Sequence, residues 1–503
     1  STTGTALNVN ASTIGASGLT FQSISVNGGT NGILLNTTGS FGGLTVTGTG
    51  TTAGSGGTIQ NTTSRGASFI SATNISLANM VFTNAGTTDL DANNAGLSTG
   101  DNLATNAAIH LQTVTTTTLT NLQISGGAEQ GINGNTVSNF TLSNSSITNA
   151  GNEPDEDGIH FFNMSGTSAI TNTTITSTVP TPNTTGGDDH LNLQMQSGTL
   201  NLTISGGSAT NANKGSGYLF GIRGTTDATI TFSSANASNN FSGGIVADAF
   251  DNAKMRLSVT NSTSSGSNDQ LSVSAGDNSQ VSLDASGNTL TSASTSDFVV
   301  LFLLGSAFDN GFVFNARITN NTITTGNQIT ADAIFVFNAG GGQMNVAITN
   351  NTVNYQGTQR PITVNAGQDG AGAINATITG NTIDIRTDGT NDAFGGIIAQ
   401  AAISSPTGDG ASVCADIGGA GALRNTFTRS LGGAAFAAGD IRVRQRLNGT
   451  MRLPGYAGAA TDTAAVQAYL NGRNTVLSPS TATVNVTGFA GGGACTQPTI
   501  PIP

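Results

Sequence analysis

Three stretches decide the fold: Ile318-Thr-Asn-Asn-Thr-Ile323, Ile348-Thr-Asn-Asn-Thr-Val353 and Ile378-Thr-Gly-Asn-Thr-Ile383, which start 30 residues apart. Val259-Thr-Asn-Ser-Thr263 and Ala285-Ser-Gly-Asn-Thr-Leu290 are degenerate copies. A second series of apolar starts lies at Ile109, Ile132, Ile159, Leu191, Leu219, Ile245, Leu271, Val299, Ile334, Ile362 and Ile397. A unit of this length holds two or three short strands bounded by Gly, Asn, Asp and Ser, too little chain for a four-stranded propeller blade. One unit cannot close a core, but stacked units bury a continuous apolar column. The expected fold is all-β: a parallel β-helix in which Ile348 points inward and Thr349 outward. Asn321, Asn351 and Asn381, with Thr322, Thr352 and Thr382, fall at corners, where Asn tolerates left-handed dihedrals and side chains stack from coil to coil. About 15 coils rising roughly 4.8 Å each would make a solenoid on the order of 70 Å long.

Composition removes several other classes. Of 503 residues, 8% are charged, against roughly a quarter in ordinary domains. Fifteen Lys plus Arg face 27 Asp plus Glu, so nucleic acid is not an expected partner. The longest apolar run, Phe298 to Leu304, is strand-sized, and no membrane span is expected. Ser, Thr, Asn and Gly dominate as they do in disordered chains, but 36% of residues are hydrophobic and regularly placed. Helical periodicity is confined to Thr463–Leu470.

The repeats ending in Thr-x-Asn-Asn-Thr or Thr-Gly-Asn-Thr resemble the right-handed parallel β-helix proteins of the pectate-lyase-like superfamily, especially large secreted bacterial β-strand-repeat surface proteins. The resemblance covers most of the chain and implies a right-handed coil. It leaves function open, because this superfold serves lyases, hydrolases, phage tailspikes and inert stalks. The Cys-Ala-Asp-Ile-Gly-Gly, Arg-Gln-Arg and Leu-Pro-Gly-Tyr segments after Cys414 resemble the tail end of the same proteins.

Two domains are expected: a β-helix over residues 1–413, and an α+β capping or assembly domain over 414–503. The two cysteines, Cys414 and Cys495, bracket the latter, and a disulfide between them implies an oxidising compartment, hence a secreted, extracellular or cell-surface protein. Two buried thiols, or a metal site lacking further ligands, are the alternatives. Arg424, Arg429, Arg442, Arg444, Arg446 and Arg452 gather in this segment. They read as a solvated strand paired with the chain's own carboxylates, or else as a patch for an anionic partner. At the other end, coils begin by Leu19–Val26 with no amphipathic cap, which suggests more protein upstream or docking on another subunit.

Chemistry-bearing residues are few. The three histidines, His110, His160 and His190, sit beside inward aliphatics and are expected on the outer, exposed face. Aligning Ile159 with Leu191 places Asp157 over Asp189 and Glu156 over Asp188, roughly 5 Å apart, the spacing of a retaining-glycosidase pair or of a Ca2+ site. Asp155, Glu156, Asp157, Asp188 and Asp189 are thus the candidate Ca2+ ligands, and Asp157, Asp189, His160 and His190 the candidate catalytic groups. Asp also recurs two residues before the first inward aliphatic at Asp269, Asp297 and Asp332, which favours a turn role. The Asn-Thr-Asp, Gly-His-Gly and Arg-Ile-Lys motifs of polygalacturonases are absent, as is Trp, and the Thr-rich stretches lack a strict ice-binding Thr-x-Thr array. The expected function is a structural stalk, adhesin or fibre subunit, not an enzyme. Its partners would be copies of itself, head to tail, or other cell-surface components and glycans. A polysaccharide-cleaving or polysaccharide-binding spike is the alternative. No cofactor is implied beyond Ca2+.

Overall fold

The computed structural model describes residues 4–89, 106–152, 156–177, 189–292, 299–306, 311–326, 331–368, 370–386, 395–402, 410–431, 438–485 and 487–503. The chain divides into two compact units, Ser1–Ile245 and Val246–Pro503.

In the second unit a coil is made of three strands, for example Ile334–Asn338, Gln343–Thr349 and Thr352–Tyr355. Each pairs in parallel with its counterpart one coil later: Ile334 with Ile362, Ile348 with Ile378, Val353 with Ile383. The alternating aliphatics point inward, and Ile318, Ile348 and Ile378 form a column with no exposed surface. This is a parallel β-helix, as the repeat implied.

The Thr-Asn-Asn-Thr corner divides its work between the two asparagines. The first, Asn320 or Asn350, takes a left-handed φ of 56° and turns the chain; in the third copy Gly380 does so at φ 70°. The second is buried and builds a ladder. Asn321 donates its backbone N–H and Nδ2 to Asn351 Oδ1 at 2.9 and 3.0 Å, and Asn351 does the same to Asn381. The ladder begins earlier, at Asn288, and runs on through Asn425 to Asn474. Thr322, Thr352 and Thr382 align beside it but are exposed, and no hydrogen bond joins them. The ladder is therefore carried by the amides alone, because only they are turned into the corner.

Asn474 also ends the helix Thr463–Arg473, donating Nδ2 to Leu470 O at 2.9 Å, while Asp462 accepts from Ala465 N at the other end. The helix buries Val466 and Leu470. The expected 413/414 boundary falls inside the strand Ser412–Ile417, which pairs with Ala373–Thr379 before it and Thr450–Arg452 after it.

In part of the first unit the two longer strands of a coil fuse. Arg65–Ala78, Ala107–Thr120, Gln130–Ser143 and Ile159–Thr171 run as single strands, bent at left-handed residues such as Asn74, Thr116, Asn139 and Asn163. Short three-residue strands, including Ser146–Thr148 and Thr174–Thr176, form the other sheet.

The last residues of the chain lie across the second unit. Arg256, Ser282, Asn315, Asn345, Asn375, Cys414 and Arg452 occupy one register position on successive coils. Asn375 donates to Asn345 and Asn345 to Asn315, a second amide ladder. The tail runs back along this column. Arg452 donates to Gly493 O, and Cys495 is bonded to Cys414 with a Cα–Cα separation of 5.6 Å. Gln497 then donates to Thr377 Oγ1, Thr499 N to Asn315 Oδ1 and Ile502 N to Ser282 Oγ. Finally Arg256 and Lys254 donate to Pro503 O.

Candidate functional site

The histidines are not exposed. His110, Asn133 and His160 share one register position on three successive strands of the first unit, followed by Asn192, and their relative exposures are 0, 0 and 4%. The expectation failed because the outward face of these strands is itself covered: all five residues of Ala107–Leu111 are buried. Alternation shows which way a side chain points, and not whether water reaches it.

Burial then sets the protonation states. Desolvation, reinforced by the Arg65 charge and opposed by a hydrogen bond to Gln112, lowers the His110 pKa to about 3. Desolvation lowers that of His190 to about 4, against the opposing bond to Thr210. His190 Nε2 lies 2.7 Å from Thr210 O, so that nitrogen carries the proton of a neutral ring. His160 Nδ1 lies 3.0 Å from Asp157 Oδ2.

The stacked carboxylates act as staples between coils. Asp157 Oδ1 accepts from Asp189 N at 3.0 Å, and Asp189 Oδ1 in turn accepts from Ser216 N. The same device recurs in the second unit, where Asp332 Oδ1 accepts from Arg360 N and Asp440 Oδ2 from Leu477 N and Ser478 N. The Asp before the first inward aliphatic thus caps the backbone of the next coil, a role beyond the turn expected of it. Asp155, Asp188 and Asp297 lie outside the described residues.

Glu156 stands apart from this pattern. Its Oε2 accepts from Asn152 N, and its carboxylate gathers with those of Glu129 and Asp89, the three ligand atoms all within 4.8 Å of one another. Glu129 and Glu156 are 1 and 0% exposed, while Asp89 is open to solvent. Oxygen donors of this kind suit a hard divalent cation such as Ca2+. Sequence reasoning missed Glu129, although the 27-residue shift that superposes Ile132 on Ile159 also superposes Glu129 on Glu156. Asp89 lies off the strands and gave no such signal.

The expected disulfide between Cys414 and Cys495 is present. Of the clustered arginines, Arg429 pairs with buried Asp440, while Arg424 and Arg452 are spent on backbone carbonyls. No helix among the described residues is long and apolar enough to cross a membrane.

Comparison of the chain with family models, curated proteins and solved structures returns no match.

Proposed function

We propose that the chain is a structural protein of an extracellular or cell-surface setting, a β-helical stalk, adhesin or fibre subunit that associates with copies of itself. One observation carries this reading: the polar groups that could do chemistry are largely spent on joining coils. Asp157, Asp189, Asp332 and Asp440 cap the backbone of the following coil, and His190 holds Thr210 O. The coil-to-coil ladders are uncharged amides, whose cohesion does not depend on salt. The disulfide fits an oxidising compartment.

Imaging the full chain by cryo-electron microscopy over a concentration series, with Ca2+ and with chelator, tests the reading. Ordered fibres or end-to-end dimers are expected, and isolated monomers at every concentration would sink the self-assembly. A second reading, a Ca2+-dependent polysaccharide-binding or polysaccharide-cleaving protein, is favoured by the Asp89, Glu129 and Glu156 carboxylates alone. Ca2+-dependent release of reducing ends from an acidic polysaccharide, lost in Glu129→Gln, would establish it.

A further inference from the structure

In the strand Ile441–Gln445 the side chains alternate: Ile441, Val443 and Gln445 are buried, and Arg442 and Arg444 emerge on the opposite face. Arg446 follows directly, its backbone N–H on Ala401 O. One coil earlier the register sets Ile398 against Arg442 and Gln400 against Arg444. One coil before that, Thr363 and Asn365 continue the two columns, and Arg360 stands just ahead of that strand, Ile362–Ala366.

The other arginines of this unit are used by the fold. Arg317 grips Asp284 through Nε and Nη2, and Arg386, Arg429 and Arg473 pair with Asp384, Asp440 and Asp416. Arg256, Arg424 and Arg452 donate to carbonyl oxygens. Among the described residues, Arg444 reaches only a neutral acceptor, Gln400 Oε1 at 2.9 Å, and its solvent-shielded Nε has none. Among the described residues, Arg442 and Arg446 have no hydrogen-bond or ion-pair partner through their side chains.

Among the described residues, the charges acting on Arg442 and Arg444 are those of other arginines. Burial, then Arg442, Arg446 and Arg360, bring the Arg444 pKa down to about 10, and burial, then Arg360 and Arg446, also lower that of Arg442. Among the described residues no carboxylate pairs with Arg442, Arg444 or Arg446, whereas Arg360 and Asp332 act on each other. Half-buried like charges without a counter-charge are a standing cost to the fold, and this chain has only 15 cations against 27 acidic groups. An incoming dianion would relieve more of that cost than a single carboxylate. Guanidinium groups also present paired N–H donors that match the oxygens of phosphate and sulfate.

We propose that Arg442, Arg444 and Arg446 form a binding site for a tetrahedral oxyanion, sulfate or phosphate, either free or esterified on a larger molecule. The site is local: the rest of this acidic chain repels polyanions, so binding depends on these few side chains. It is independent of the structural role proposed above.

Calorimetric titration of the full 503-residue chain tests it, with sodium sulfate, sodium phosphate and dextran sulfate as probes at constant ionic strength set by chloride. Saturable binding of an inorganic anion, weakened at least tenfold in R442Q/R444Q, is the expected result when the free ion suffices. Binding of dextran sulfate alone, equally weakened, assigns the site to an esterified group. Both side chains point out of the coil, so R442Q/R444Q should unfold at or above the parent temperature; R446Q serves as a second variant. Absence of saturable binding by all three probes, or binding unchanged in both variants, overturns the proposal.

Discussion

Replacing Asn351 by alanine tests whether the buried amide ladder holds the coils together. Asn351 is 1% exposed, and its side chain makes four bonds: Nδ2 donates to Ile318 O and Asn381 Oδ1, and Oδ1 accepts from Asn321 N and Nδ2. In Asn351→Ala, the Asn321 N–H faces a methyl group and Ile318 O loses a donor. At about 1–3 kcal/mol for each of these two buried groups left without its partner, the loss is about 2–6 kcal/mol. For a unit of this size, that corresponds to a fall in unfolding temperature of roughly 5–15 °C. Asn351→Asp should cost more, since it places a charge at a buried site and turns two donor bonds into oxygen–oxygen contacts. Thr352→Ala, one residue away but exposed, should stay within about 0.5 kcal/mol of the parent. Thermal unfolding monitored by circular dichroism ranks the variants, and hydrogen exchange at the Asn321 amide localises the effect to the neighbouring coil. An Asn351→Ala midpoint no lower than that of Thr352→Ala, with Asn321 equally protected, would refute the ladder as a source of stability.

Three other expectations follow from the geometry. Asp189→Ala should lose about 1–3 kcal/mol because Ser216 N–H is orphaned, whereas Asp189→Asn, which keeps an acceptor oxygen, should lose far less; equal losses in urea melts would argue against the staple. Cys495→Ser removes a cross-link spanning 81 residues and should lower stability by up to about 4 kcal/mol, with faster exchange at the Thr499 and Ile502 amides. Acid should act oppositely on the two units. His110 and His190 have folded pKa values below their ordinary value, so their contribution to the first unit is full above about pH 6.5 and is lost as pH falls toward 4. Burial raises Asp269 and Asp332 to about 6, so their contribution to the second unit is full below about pH 4 and is lost as pH rises through 6. Limited proteolysis with an acid-active protease in urea, at pH 7 and at pH 4.5, should shift cleavage toward residues 1–245 at the lower pH; a shift toward 246–503 would show that other groups dominate.

The architecture was legible because its information is periodic. Thr-x-Asn-Asn-Thr at a 30-residue spacing gives the strand, the corner and the register together, and the cysteine pair stood alone in the sequence. The second ladder was equally periodic, since Asn315, Asn345 and Asn375 each lie three residues before the column isoleucine, but it sits on the outer face, where a polar residue looks unremarkable. What covers that face is not periodic. Nothing in Thr496–Pro503 announces that it lies on coils formed 120 to 250 residues earlier, and nothing near His110 announces that its outward side is closed. Outward direction and exposure are different properties, and in a solenoid the two separate wherever a non-repeating segment lies over the repeat.

The tail also gives the second unit a defined response to mechanical load. Tension on Pro503 meets the Arg256 and Lys254 contacts first, then those of Ser282, Asn315 and Thr377 in turn, so the contacts open one after another and never as a group. About eight residues would unreel in this way, roughly 3.5 Å apiece, while the coils beneath stay intact. At Cys495 the unreeling stops at a covalent bond, and the load passes into the strand Ser412–Ile417, which is paired on both sides. Residues 496–503 are thus a short extensible leader with a fixed stop.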